Sequence, residues 1–192
     1  VVTNLSILGN EITTTASWVV GLHQTSTDTD GQYAEIEARN VASSDYMGPA
    51  VRMSSDGSEG YAVLARGGTN QVRLYRINNG LTVLDVASLS SSPDGKTIRL
   101  EADGSDLTVY VDGVVELTYT DTTWSGSAHR QTGFLSIRAE GDNFEAGDLN
   151  ATTGSAGDWG MDFTTNNAGQ TTGVDYLAGG TRTLVYNPIG RL

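Results

Sequence analysis

The residues that could do the most chemistry in this chain are a pair of glutamates, Glu35 and Glu37, within the run YAEIEAR at 33–39. Two positions apart on an extended chain they point the same way, and paired carboxylates flanking a glycosidic bond are the machinery of glycoside hydrolysis. The same spacing suits a solvated strand face, on which Glu37 and Arg39 would make an ion pair of little energetic weight. Asp28 and Asp30, in the turn DTDG, and Asp142 offer the hard oxygens that calcium takes, although the rest of an EF-hand loop is missing and Asx-Gly pairs are ordinary turn residues. Arg52, Tyr61, Arg73, Tyr75, Trp124, His129 and Arg130 form a third group. Aromatic faces stack on sugar C–H surfaces and guanidinium groups fix hydroxyls, so this mixture suits a glycan groove; it equally suits ordinary cross-strand pairs. His23 and His129, the only histidines, fall in no metal or triad spacing, and no G-x-S-x-G motif is present.

What must position these residues is a set of strands. Between 98 and 119, Ile98, Leu100 and Ala102, then Leu107, Val109 and Val111, then Val115, Leu117 and Tyr119 alternate with polar neighbours. That is the period of half-buried strands, and the Asp-Gly pairs between the runs are strong hairpin signals. Runs at 33–39, 49–54, 61–66, 71–77, 81–89 and 133–139 continue the pattern, with a long polar loop at 120–132. No stretch carries a helical period, so the expected fold is all-β, roughly a dozen short strands in a two-layer antiparallel sandwich.

Composition narrows the function. Across 192 residues, 11 Lys and Arg face 23 Asp and Glu, for a net charge of −12. Such a surface repels phosphate backbones and anionic lipid, which argues against nucleic acid as a partner. Cysteine is absent, removing disulfides, thiolate nucleophiles and Cys-based metal sites. No apolar run approaches the ~18 residues of a membrane span, so no membrane insertion is expected. No signal peptide is visible, and the start at Val1 reads as processed or truncated.

Past Asn150 the composition turns Gly-, Thr- and Asn-rich, yet Trp159, Met161, Phe163, Leu184 and Tyr186 remain. A flexible linker would not carry such residues, so the division expected is a sandwich over 1–150 and an extended C-terminal arm over 151–192 whose large apolar side chains make assembly contacts.

Taken in order, YAEIEAR, GPAVRM, GYAVLAR, VRLYRI, KTIRLEADGSDLTVYVDG, TGFLSIR and DNFEAGDL resemble the concanavalin A-like lectin/glucanase jelly roll. More narrowly they are similar to the laminin-G-like modules of secreted bacterial proteins and of tailed-phage structural proteins. The resemblance covers about residues 18–150 and implies two curved sheets, glycans on a face or rim, and in many relatives a structural calcium where the first strands meet the last. Glycosidases of this fold carry E-x-D-x-E or E-x-D-x-x-E. Here Glu37 takes the middle position and Arg39 or Asn40 the last, so the proton donor is missing and no catalytic residue is assigned. The expectation is a non-enzymatic recognition or assembly protein, with a phage virion surface component (capsid decoration, tail or fibre) first and a carbohydrate-binding module of a secreted bacterial protein as the alternative. Its expected partners are other virion proteins or copies of itself through the arm, and cell-surface glycans. No cofactor is required; structural calcium is the one candidate.

Overall fold

The computed structural model describes residues 5–8, 11–14, 19–23, 26–27, 29–41, 44–149, 161–165, 171–176 and 180–182. Contacts divide the chain into two compact units, Val1–Asn150 and Ala151–Leu192. The first is all-β and holds β1 (Leu5–Leu8), β2 (Glu11–Thr14), β3 (Val19–Leu22), β4 (Gln32–Arg39), β5 (Tyr46–Met53), β6 (Glu59–Arg66), β7 (Gln71–Asn78), β8 (Leu81–Ser88), β9 (Lys96–Asp103), β10 (Asp106–Val111), β11 (Val114–Thr120), β12 (Gln131–Ile137) and β13 (Glu140–Asp148). They form two antiparallel sheets. The larger has seven strands in the order β1-β2-β13-β4-β9-β10-β11, and the smaller has six in the order β3-β12-β5-β6-β7-β8.

Alternation decides which residues meet between the sheets. Along β4, Ala34, Ile36 and Ala38 are fully buried while Tyr33, Glu35, Glu37 and Arg39 face outward, the division the sequence pattern predicts. Ile36, Ile98, Leu100, Leu107 and Val109 of the larger sheet pack in one core with Val51, Tyr61, Val63, Leu74 and Phe134 of the smaller. The outward face of the smaller sheet is apolar too: Ala50, Ala62, Leu64, Tyr75 and Leu135 form a second buried cluster. Expected hairpins are present at Gly104, with φ 55°, and at Asp112-Gly113, with φ 50° and 78°.

β5 runs further than its proline suggests. It begins at Tyr46, and its ladder with β6 skips Gly48 and Pro49 before resuming at Ala50, which accommodates the missing N–H of Pro49. A Cβ on Gly48 would lie 1.8 Å from the carbonyl oxygen of Val63, so only glycine fits there.

The second unit, expected as an extended arm, contains a three-stranded antiparallel sheet of β14 (Met161–Thr165), β15 (Thr171–Tyr176) and β16 (Gly180–Arg182). Met161 and Phe163 lie in β14, opposite Tyr176 and Val174 of β15. Trp159, Leu184 and Tyr186 lie outside the described residues, as does Asp28. No helix among the described residues is long and apolar enough to cross a membrane.

Candidate functional site

The polar residues converge at one end of the sandwich, where the loop between β11 and β12 folds back over the strands. Asp121 opens this loop and is buried. Its carboxylate accepts the Tyr61 hydroxyl at 2.9 Å and the Thr123 N–H at 2.7 Å, and its second oxygen lies 3.1 Å from Arg76 Nη1. Burial alone would push this acid up, but the Thr123 and Tyr61 hydrogen bonds and the charge of Arg76 hold it below the ordinary carboxylate value. The Trp124 N–H donates to the Tyr61 oxygen at 3.1 Å, and its indole N–H donates to the carbonyl of Ile77 at 2.9 Å. The indole and the His129 ring lie 4.9 Å apart, and His129 Nε2 is 3.0 Å from Glu59 Oε2.

A second set of bonds ties the loop to the start of β4. Gln32 donates its amide to the carbonyl of His129 at 2.9 Å and accepts the Arg52 N–H at 2.8 Å. The Arg52 guanidinium donates twice to the carbonyl of Asp30, at 3.1 and 2.8 Å, and once to that of Trp124 at 3.4 Å. These bonds hold Arg52 at φ 49°, a left-handed conformation uncommon outside glycine. The Gly126 N–H donates to Asp30 Oδ2 at 3.1 Å, and Asp30 Oδ1 stands 3.4 Å from Arg130 Nε. Two buried arginine and glutamine side chains thus serve as scaffolding for a loop that has no regular structure of its own.

Against this scaffold lies a cleft of about 470 Å³ lined by Ser26, Thr27, Ser55, Ser127, Arg130 and Gln131, with Ala128 beside them. The turn that carries Ser55 is fixed by Asp56. That carboxylate accepts the Ser54 hydroxyl at 2.6 Å and the Ser58 hydroxyl at 2.7 Å, bonds that draw its pKa down to about 2. The opposite wall is pinned where the Thr27 N–H donates to the carbonyl of Arg130 at 2.8 Å. Residues that carry hydroxyls, one amide and one guanidinium therefore line a space in the size range of small-ligand sites.

The glycan set drawn from the sequence splits in this geometry. Arg52, Tyr61, Trp124, His129 and Arg130 meet at the loop end, but Arg52, Tyr61 and His129 are buried with their polar atoms bonded inside the protein; Trp124 and Arg130 keep part-exposed side chains. Arg73 and Tyr75 stand elsewhere on β7, the first donating to Gln71 Oε1 at 3.0 Å and the second packed in the outer apolar cluster. The cleft serines and Gln131 carry no sequence signal as ligands. Asp121, an internal support that does not line the cleft, does carry a local signal, since D-x-T is an Asx turn in the making.

The acids fare differently. Glu35 faces Arg99 at 3.0 Å and Glu37 faces Arg39 at 3.0 Å, and each arginine is shared with a second acid, Arg99 with Glu101 and Arg39 with Asp142. Asp142 lies 3.0 Å from Arg39, opposite Glu37 in the β13–β4 ladder, whereas Asp30 precedes β4 at its other end. Roughly 20 Å of strand separates them, so Asp30 and Asp142 stand at opposite ends of β4. Among the described residues no group of three or more His, Asp or Glu is placed to hold a metal.

With the strand order in hand, comparison with solved structures is decisive for the architecture. The chain superimposes on the carbohydrate-binding module CBM66 from Bacillus subtilis with a TM-score of 0.61 at 15% identity, over 75% of this chain and 89% of that one. The fold is the concanavalin A-like jelly roll. Domains LG4-5 of the mouse laminin α1 chain share this jelly roll (TM-score 0.51, 15% identity, 76% of this chain and 44% of that one). So does an enzyme, the β-fructofuranosidase of Aspergillus kawachii (TM-score 0.54, 12% identity, 71% of this chain and 26% of that one). No protein-family model and no curated protein matches the chain.

Proposed function

We propose that the jelly roll is a non-enzymatic recognition module that holds a saccharide in the cleft between the β11–β12 loop and the β5–β6 turn. The observation that carries this reading is the lining: Ser26, Thr27, Ser55, Ser127 and Gln131 bring hydroxyls and an amide from three loops and the start of β12 to one concave place, and the β11–β12 loop among them is tied down by the Tyr61–Asp121–Arg76 cluster. A preorganised polar cleft binds hydroxyl-rich ligands without the ordering cost of a flexible loop. Likeness in fold to a carbohydrate-binding module supports the same reading. Absence of catalysis is part of it, because Glu35 and Glu37 are each tied to an arginine rather than poised as acid and base. A glycan array probed with the full chain, with and without added calcium, tests it. Binding that is lost in Ser127→Tyr supports the cleft; an array with no hits in either condition, or hydrolysis of β-glucans lost on changing Glu35, sinks the proposal.

A second reading concerns where the module works. The segment DNFEAGDL at 142–149 is similar to the end of this module in phage virion and tail proteins, and residues 151–192 form a compact unit of their own. We infer a virion surface component that displays the sandwich and is docked to other virion proteins, or to copies of itself, through the C-terminal unit. Labelled antibody against the chain should decorate purified particles in electron micrographs. Recovery of the protein only as a free species in culture supernatant would favour the secreted alternative.

A further inference from the structure

We propose that copies of this chain stack head to tail, the outer face of the smaller sheet in one copy seating on the outer face of the larger sheet in the next. Neither the cleft nor the C-terminal unit enters into it; what carries it is charge left without a partner. Arg39, Arg76, Lys96, Arg99, Arg130 and Arg138 each lie within 3.4 Å of a carboxylate. Arg66 and Arg73 have no such partner among the described residues. Arg73 donates through Nε and Nη2 to Gln71 Oε1, an uncharged acceptor, at 3.2 and 3.0 Å. Arg66 holds its guanidinium carbon 5.4 Å from the centroid of the Tyr46 ring, and its Nε is buried with no hydrogen-bond partner. Its charge is thus partly desolvated and offset by a ring face alone, the condition in which a carboxylate brought alongside stabilises most.

Register puts both arginines on one surface. Arg73 stands opposite Leu64, a member of the outer apolar cluster, and Arg66, two residues on from Leu64, stands between Tyr46 and Gln71. Exposed Val86 lies opposite Arg73 on β8. Two guanidinium groups one diagonal apart, a tyrosine and a valine therefore share the outer side of the smaller sheet. The far side of the sandwich is its complement. On the larger sheet Glu35, Glu37, Glu101, Asp142 and Glu145 face outward around only Arg39 and Arg99. Exposed Val115 ends the row that runs through Arg99 and Tyr110. An occupant for the basic face needs surplus carboxylates beside apolar side chains on a flat surface, and this chain presents one itself. Copies of net charge −12 repel at a distance, but at physiological salt a Debye length of about 8 Å screens the remote charges and spares contact pairs. Like faces repel, so basic on acidic is the register that survives. Because the two faces lie on opposite sides of one sandwich, the contact repeats from copy to copy, giving a row or a closed ring.

Sedimentation velocity of the full chain from about 5 to 500 μM at about 150 mM salt is the test. The sedimentation coefficient should climb with concentration past that of a dimer. Arg66→Gln combined with Arg73→Gln should weaken association at least about tenfold, as the loss of two charge-assisted contacts implies. Glu37→Gln combined with Asp142→Asn should weaken it from the other face. Lys96→Glu, which alters the net charge as much as the arginine pair does but touches neither set, should leave it unchanged. Mixed in equal amounts, the two double variants should form a one-to-one pair that grows no further, since each supplies the face the other lacks. Far-ultraviolet circular dichroism of every variant should match the parent, and if one double variant fails to fold, the other and Lys96→Glu still decide. A monomer at every concentration overturns the proposal. Association that both double variants leave intact also overturns it, and assigns self-contact to the C-terminal unit with the virion reading standing. Failure of the mixture to pair, where each variant alone has lost association, overturns the head-to-tail arrangement in favour of a self-complementary contact.

Discussion

Replacing Tyr61 with phenylalanine removes one oxygen, and with it the donor to Asp121 and the acceptor of the Trp124 N–H. Asp121 keeps Thr123 and Arg76, but the Trp124 N–H loses its acceptor and Asp121 one donor, which should destabilise the fold by about 1 kcal/mol, measured by urea unfolding. The hydroxyl also makes stability depend on alkaline pH. Burial, with the bond to Asp121 adding to it, raises the Tyr61 phenol from 10.0 to about 12; burial and Glu145 do the same for Tyr33. The folded state therefore keeps protons that the unfolded chain releases. Stability should be intact below about pH 10 and decline as pH rises towards 12, with Tyr61→Phe flattening the decline. Both phenols should also ionise late when phenolate absorbance is followed. None of this was legible in the residue itself. A tyrosine and an arginine on adjacent strands read as a sugar platform, and only the fold of the β11–β12 loop over them turns Tyr61 and Arg52 into internal supports.

At the scale of elements, what the sequence discloses is local. β4 is readable because every second residue is Ala or Ile and the others are Tyr, Glu and Arg, and the β10–β11 turn because Asp112-Gly113 tolerates positive φ. What it withholds is partnership: Tyr33 bonds Glu145 across 112 residues, and nothing in either run names the other. Close approach is hidden for the same reason. A Cβ on Gly133 would lie 2.0 Å from the carbonyl oxygen of Gly21, so Gly133→Ala should force β3 away from β12 and speed hydrogen exchange in both strands. β8 is an edge strand with Val83 and Val86 exposed by 47% and 41%. Asp85 guards it, with its carboxylate on the Val86 N–H at 2.7 Å beside a bulge in the ladder to β7. Charged side chains and bulges are how edges avoid pairing with other chains, so Asp85→Val should aggregate with rising concentration, visible by light scattering.

For the whole molecule, charge and topology set the terms. A labelled DNA duplex titrated with the full chain at about 50 mM salt should show no change in anisotropy, because a body of net charge −12 has no counterion release to gain from phosphates. Topology acts on a different timescale. β13 sits between β2 and β4, and β12 between β3 and β5, so the last two strands of the sandwich are also interior ones. A ribosome making this chain therefore exposes half-built sheets until about residue 148 has emerged, and every nascent chain passes through a stage with open ladders flanking two vacant lanes. Slow codons late in the message, or a stall between β11 and β12, should lower soluble yield far more than the same delay after Asp148.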